Sequence, residues 1–210
     1  MRAFADRHEA GRLLGERVRA AGASDAVVIG LARGGVVVAA EVARALGAPL
    51  DALAVRKVGH PHEPEYALGA VAPGVVHLRD GLDVPAQAAG AAAERASRVA
   101  DDLDRRLHEH RPPVPVRGRT CVLVDDGLAT GATMEAAVRW ARRGGAARVV
   151  VAAPVGPAAT LAAFAREADA VVAVEAPETL FAVGDWYGEF GEVTDADVAL
   201  LLASAGADPV

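Results

Sequence analysis

The stretch Val122 to Met134, VLVDDGLATGATM, decides the fold: three apolar residues run into two carboxylates, Asp125 and Asp126, then a turn of small residues, then a helix-compatible sequence. An apolar run that stops at such a turn before a helix is the repeating unit of a parallel α/β sheet. Ligands of these sheets bind beyond the C-terminal strand ends, which places a site at this turn. Gly127, Ala129, Gly131 and Ala132 let the backbone approach an anion, and the N–H groups opening the following helix lack partners within it. Thr130 and Thr133 add hydroxyl donors, and each hydrogen bond to a charged group contributes about 1.5–3 kcal/mol. The turn therefore reads as a phosphate cradle. Asp125 and Asp126 stand too near the phosphate to be its ligands; hydroxyls and a magnesium shell are their natural partners. An ordinary acidic turn would explain the carboxylates but not the threonine–glycine order. The P-loop spacing is absent, and the two carboxylates are adjacent rather than one residue apart as in aspartyl-phosphate hydrolases.

Outward from this stretch, β-branched runs alternate with alanine-rich helical segments, which predicts an α/β fold with a mostly parallel sheet flanked by helices. Strands are expected at 26–29, 51–56, 67–71, 75–78, 120–124, 148–153 and 170–174. The first helix is expected over 6–20 with Leu13, Leu14 and Val18 on one face, and the next over 36–46, stopped by Gly47 and Pro49. Further helices are expected at 85–110, opened by Pro85, at 134–143, at 158–167 and at 195–202 with Thr194 as N-cap. With 52% hydrophobic and 24% charged residues, the 210-residue chain has the balance of a globular protein, not a disordered or fibrous one. Its net charge of −6 argues against nucleic-acid binding, which draws affinity from clustered Lys and Arg. Asp6 and Glu9 fall where a secretory signal needs an apolar core, and no apolar run is long enough to span a bilayer, so a cytoplasmic protein with no membrane partner is expected. The single cysteine, Cys121, reads as a small buried hydrophobe and not as a nucleophile.

Three further stretches carry chemistry. GLARGG, Gly30 to Gly35, again ends a strand and opens a helix, and Arg33, Gly34 and Gly35 offer a charge and backbone donors to a second anion. AVRKVGHPHEPEYALGAV, 54–71, holds Lys57, the one lysine in a chain that otherwise uses arginine. Coding bias could leave a single lysine, but this one stands at a strand end beside Arg56, where a cation could neutralise a leaving anion. His60, His62, Glu63 and Glu65 after it read as part of a mobile lid and not as a metal cluster. GDWYGEFGEV, 184–193, gathers Trp186, Tyr187 and Phe190, with Phe181 nearby, in a chain only 4% aromatic. These rings either stack a planar base or pack the terminal helix on the core. The charged face Arg95 to Arg106 reads as solvated helix surface or as the subunit contact of a homodimer.

VLVDDGLATGATM resembles the 5-phosphoribosyl 1-diphosphate signature of type I phosphoribosyltransferases, through its apolar strand, acidic pair and TGAT turn. The similarity to bacterial phosphoribosyltransferase-like proteins extends over nearly the full chain. The resemblance implies a type I core over 22–175 with a lid at about 58–80, and a small hood made by 1–21 and 176–210. It implies that Asp125 and Asp126 hold the ribose hydroxyls and, mainly through water and substrate, Mg²⁺. It implies that Gly127 and Ala129 to Thr133 hold the 5-phosphate, and that Arg33, Gly34, Gly35 and Lys57 receive the diphosphate. The Arg33 loop then matches one that often contains a non-proline cis peptide, and the hood aromatics would meet the acceptor. The implied activity is magnesium-dependent transfer of the phosphoribosyl group to a nitrogenous, nucleobase-like acceptor, with Lys57, Arg33, Asp125 and Asp126 as the catalytic set. A non-catalytic sensor acting through a protein partner, or a hydrolase or phosphorylase using the same pocket, would keep the same motifs.

Overall fold

The computed structural model describes residues 3–60, 63 and 66–205. Five parallel strands form the main sheet: β1 (Ala26–Ala32), β2 (Leu50–Ala54), β6 (Thr120–Val124), β7 (Arg148–Val155) and β8 (Ala170–Glu175), in the order β2-β1-β6-β7-β8. Their apolar runs are continuous because both faces are covered, as parallel sheets require. The twofold alternation of a strand divides the core. Val28, Val122, Val124 and Val150 face helices α1 (Arg7–Ala20), α2 (Gly34–Leu46) and α6 (Asp195–Ala205). Ile29, Cys121, Leu123 and Val151 face α4 (Ala132–Arg143), and α5 (Ala158–Phe164) contributes Phe164 there. Because α2 follows β1 on one face and α4 follows β6 on the other, the strand order switches between β1 and β6, where a ligand crevice opens.

The strand expected over 51–56 is divided. β2 ends where its pairing with β1 ends, at Ala54 opposite Ala32, and after Val55 the chain turns into β3 (Arg56–Gly59). β3 pairs antiparallel with β4 (Ala67–Ala72), and β4 with β5 (Val75–Leu78), in a separate three-stranded sheet. The segment 58–80 thus carries two strands and the end of a third, with a buried face: Val58, Leu68 and Val71 pack on Ala89, Ala92 and Ala93 of α3 (Ala86–Leu107). On the other face Ala70 and Ala72 join the cluster that contains Met134 and Ala137 of α4. His62 and Glu65 lie outside the described residues.

Helix ends follow local chemistry. The Asp6 carboxylate accepts the Glu9 N–H at 2.8 Å to cap α1, and Thr194 caps α6 through its hydroxyl while Asp197 accepts the Thr194 N–H in return. Leu13 differs from expectation. It is exposed, and α1 instead buries Ala10, Gly11, Leu14, Gly15 and Val18, its glycines letting it lie close on α2. α3 stops at Leu107, short of the expected 110, because the His108 ring turns inward. There His108 Nε2 meets the buried Asp51 carboxylate of β2 at 3.2 Å, and Nδ1 meets the Asp104 carbonyl at 2.9 Å. The Val114 N–H donates to the other Asp51 oxygen at 2.7 Å, and Arg111 donates to the Leu50 carbonyl at 3.0 Å. Hydrogen bonds to Asp104 and Asp51 raise the His108 pKa to about 10. Among the described residues no helix is long and apolar enough to cross a membrane.

Candidate active site

A cavity of about 550 Å³ opens at the C-terminal ends of β1, β2 and β6. β1 delivers Arg33 and Gly34, with a cis peptide between Ala32 and Arg33. The turn from β2 into β3 delivers Arg56 and Lys57, and the segment after β6 delivers Asp125 to Gly131 and Thr133. The structure therefore brings the three predicted stretches to one wall. Gly35 and Ala132 are buried behind it, at the first turns of α2 and α4.

The turn between β6 and α4 is held from several sides. The Leu128 N–H donates to the Val155 carbonyl at 2.9 Å and its side chain is buried in the core, which staples the turn to β7. Gly131 caps α4 at φ 78, a left-handed conformation that glycine adopts without a Cβ penalty. Gly34 is required for a different reason: a Cβ there would lie 2.1 Å from Asp126 Oδ2, so the β1 and β6 loops touch through its hydrogen. α4 points its N-terminus at the turn, adding the positive end of its dipole to the unpaired N–H groups.

Asp125 and Asp126 carry more negative charge than their surroundings accommodate. Burial first, then the neighbouring Asp126, holds Asp125 well above the ordinary carboxylate range, despite the Asp126 N–H at 2.9 Å, Thr133 Oγ1 at 3.4 Å and Lys57. Burial also raises Asp126, against the pull of Arg7. Two carboxylates and a hydroxyl form an all-oxygen donor set suited to a hard cation such as magnesium, which completes its shell with water and phosphate. A divalent cation there would relieve the repulsion within the pair. Among the described residues no group of three or more His, Cys, Asp or Glu forms a cluster able to hold a metal.

Two arginines were not singled out by the sequence. Arg7 Nε donates to Asp126 Oδ2 at 2.9 Å, its Nη2 lies 2.9 Å from the same oxygen, and its Nη1 donates to the Gly191 carbonyl at 2.8 Å. Its guanidinium lies 3.7 Å from the centre of the Phe190 ring. Its signal was a cation in the first turn of a helix, where the dipole favours carboxylates. Arg56 was visible beside Lys57 but not separated from it. Arg33 pairs with Glu192 at 3.5 Å and Asp195 at 3.9 Å.

Of the four aromatics, Trp186, Tyr187 and Phe190 gather beside the site and Phe181 does not. Tyr187 is buried between Phe4 and Phe190, its hydroxyl donating to the Asp126 carbonyl at 2.6 Å, so it supports the carboxylate from behind. Trp186 packs in the same small cluster, beside Val183, whose side chain covers Gly127. Phe190 is 39% exposed at the site's edge, and Phe181, 96% exposed, is in neither the cavity wall nor that cluster. Cys121 is fully buried in β6, and burial pushes its thiol up to about 12.

Residues 5–173 match the sequence profile of the family described as "Phosphoribosyl transferase domain". A Mycobacterium tuberculosis H37Rv protein named "Putative phosphoribosyl transferase Rv0571c" is 43% identical over 99% of this chain, which spans 48% of that relative's length. A crystal structure of the protein TT1426 from Thermus thermophilus superposes with a TM-score of 0.83 at 46% identity, covering 97% of this chain and 99% of that one. The purine phosphoribosyltransferase of Pyrococcus horikoshii Ot3 shares the fold at a TM-score of 0.50 and 19% identity, over 90% of this chain and 92% of its own. The profile match, which extends over more than half of the chain, carries one conclusion: the chain belongs to the phosphoribosyl transferase domain family.

Proposed function

We propose that the protein transfers the 5-phosphoribosyl group of 5-phosphoribosyl 1-diphosphate to a nitrogenous acceptor and releases diphosphate. One observation carries the reading: an acidic pair, a turn of small residues before a helix and three cations, Arg33, Arg56 and Lys57, from two strand ends line the same cavity. Gly127 and the backbone of Ala129 to Thr133 hold the 5-phosphate, while Asp125 and Asp126 accept the ribose hydroxyls and orient the sugar. Arg33 and Lys57, with the N–H groups at Gly34 and Gly35, hold the diphosphate. The acceptor nitrogen forms a bond to the anomeric carbon as the bond from that carbon to the diphosphate oxygen breaks, and the bonding electrons leave with the diphosphate. Positive charge develops on the ribose and negative charge on the leaving group, so the cations at the strand ends lower the barrier electrostatically. A magnesium ion bound with the donor beside Asp125 and Asp126 would supply further charge neutralisation. Of the hood aromatics, Phe190, exposed beside Arg7, is the one assigned to the acceptor ring.

The test is magnesium-dependent release of diphosphate from the donor with a panel of nucleobases. Acceptor-dependent release, lost in the Asp125→Asn plus Asp126→Asn variant, is the expected result. Tight donor binding with no turnover on any acceptor would replace the enzyme by a donor sensor, and a donor that does not bind would overturn the reading altogether.

A further inference from the structure

The wall made by Arg33, Gly34 and Arg56 has a second side. A separate cavity of about 430 Å³ shares those three residues with the first and is completed by Arg7, Phe190 and the segment that carries Glu192. Three guanidiniums line it against the single carboxylate of Glu192. Their charges are unequally met. Arg7 is matched by Asp126, and Arg33 is held by Glu192 and Asp195 at 3.5 and 3.9 Å, the longer distance beyond hydrogen bonding. Asp195 is also shared with Arg106, at 3.1 Å. Arg56 forms no ion pair among the described residues, and its Nε is buried without a hydrogen-bond partner. Burial and the neighbouring Arg33 pull its pKa below the ordinary value, with Asp195 opposing. A buried guanidinium nitrogen without an acceptor is costly, and an oxygen acceptor would relieve it. With the diphosphate assigned to Arg33, Lys57 and backbone N–H groups, Arg56, which lines both cavities, is the cation left for a second anion.

We infer that this second cavity is the anion subsite of the acceptor: the acceptor carries a carboxylate or phosphate group, which Arg56 and Arg33 hold while Phe190 lies beside its ring. This deepens the transfer reading and rests on it. Glu192, 78% exposed in its side chain, competes for Arg33 and is displaced when the acceptor's anion enters.

Matched pairs that differ in one charged group and carry no ribose 5-phosphate read the subsite directly: orotate against uracil and nicotinate against nicotinamide for a carboxylate, and pyridoxine 5′-phosphate against pyridoxine for a phosphate. Binding is measured by calorimetry without donor, and again with donor under magnesium chelation so that no turnover intervenes. The charged member of the carboxylate or the phosphate pairs should bind at least about tenfold tighter, and the pair that responds names the group. Arg56→Met should bring that ratio below about threefold while donor affinity stays within about threefold, and Glu192→Gln should raise affinity for the charged member by about threefold or more. Equal binding of both members, binding of neither, or a ratio unmoved by Arg56→Met overturns the inference. Loss of donor affinity alone in Arg56→Met does so too, because it assigns the arginine to the diphosphate. Should Arg56→Met not fold, Glu192→Gln decides, an unchanged affinity counting against the subsite. A wild-type protein that shows the charge preference but does not bind the donor keeps the subsite and removes the transfer reading.

Discussion

Asp125 is destabilising where it stands. A carboxyl whose pKa is raised by folding favours the folded state only while protonated. That contribution is present below the unfolded value of about 3.9 and is lost as pH rises through the raised folded value. At neutral pH the charge therefore opposes folding, and Asp125→Asn should gain about 0.5–2 kcal/mol in urea denaturation while losing donor binding. A loss of stability instead would make Asp125 a structural residue. At this scale much was legible. The small residues from Gly127 to Ala132 and the paired acids announce their chemistry within one turn of chain. Arg7 and Arg56 do not, because each is defined by partners that only folding brings near: the carboxylate that Arg7 holds is 119 residues away in sequence.

Among the elements, the junction of β2, α3 and the connector 111–118 is held by one charged cluster, with Asp51 at its centre and His108, Asp104 and Arg111 around it. The His108 pKa is raised on folding from about 6.5 to about 10. Its contribution to stability is thus fully present below the unfolded value and disappears as pH climbs through about 10. The urea midpoint of the wild type should fall between pH 6.5 and 10, and His108→Gln should be less stable by roughly 3 kcal/mol at neutral pH and flat across that window. The same decline in both proteins would assign it to other groups. Strand and helix positions were largely readable from period and punctuation. The antiparallel sheet was not: 51–56 reads as one apolar run, and only the end of β1 as a partner forces the break at Val55. α1 likewise hid its contact face, since the glycines that let it approach α2 carry no hydrophobic signal.

Across the whole molecule, the N-terminal helix, the turn after β6 and the C-terminal segment meet at Arg7. The edge there is reinforced by a parallel bridge between Phe4 and Tyr187 and by the Gly188 N–H donating to the Phe4 carbonyl at 2.7 Å. Arg7→Met leaves Asp126 with an unmatched, largely buried charge and should cost roughly 3 kcal/mol. Adding Asp126→Asn should restore a large part of that loss, and additive effects in the four-member cycle would show that the two side chains act independently. The separations involved also bear on folding. Arg7 reaches across 119 residues to Asp126 and 184 to Gly191, so distant parts of the chain must be brought together before either contact returns any free energy. The central pairing of β1 with β6, Ala26 against Thr120, waits on a comparable closure. The edge that Arg7 ties is therefore expected to order only as the sheet itself closes.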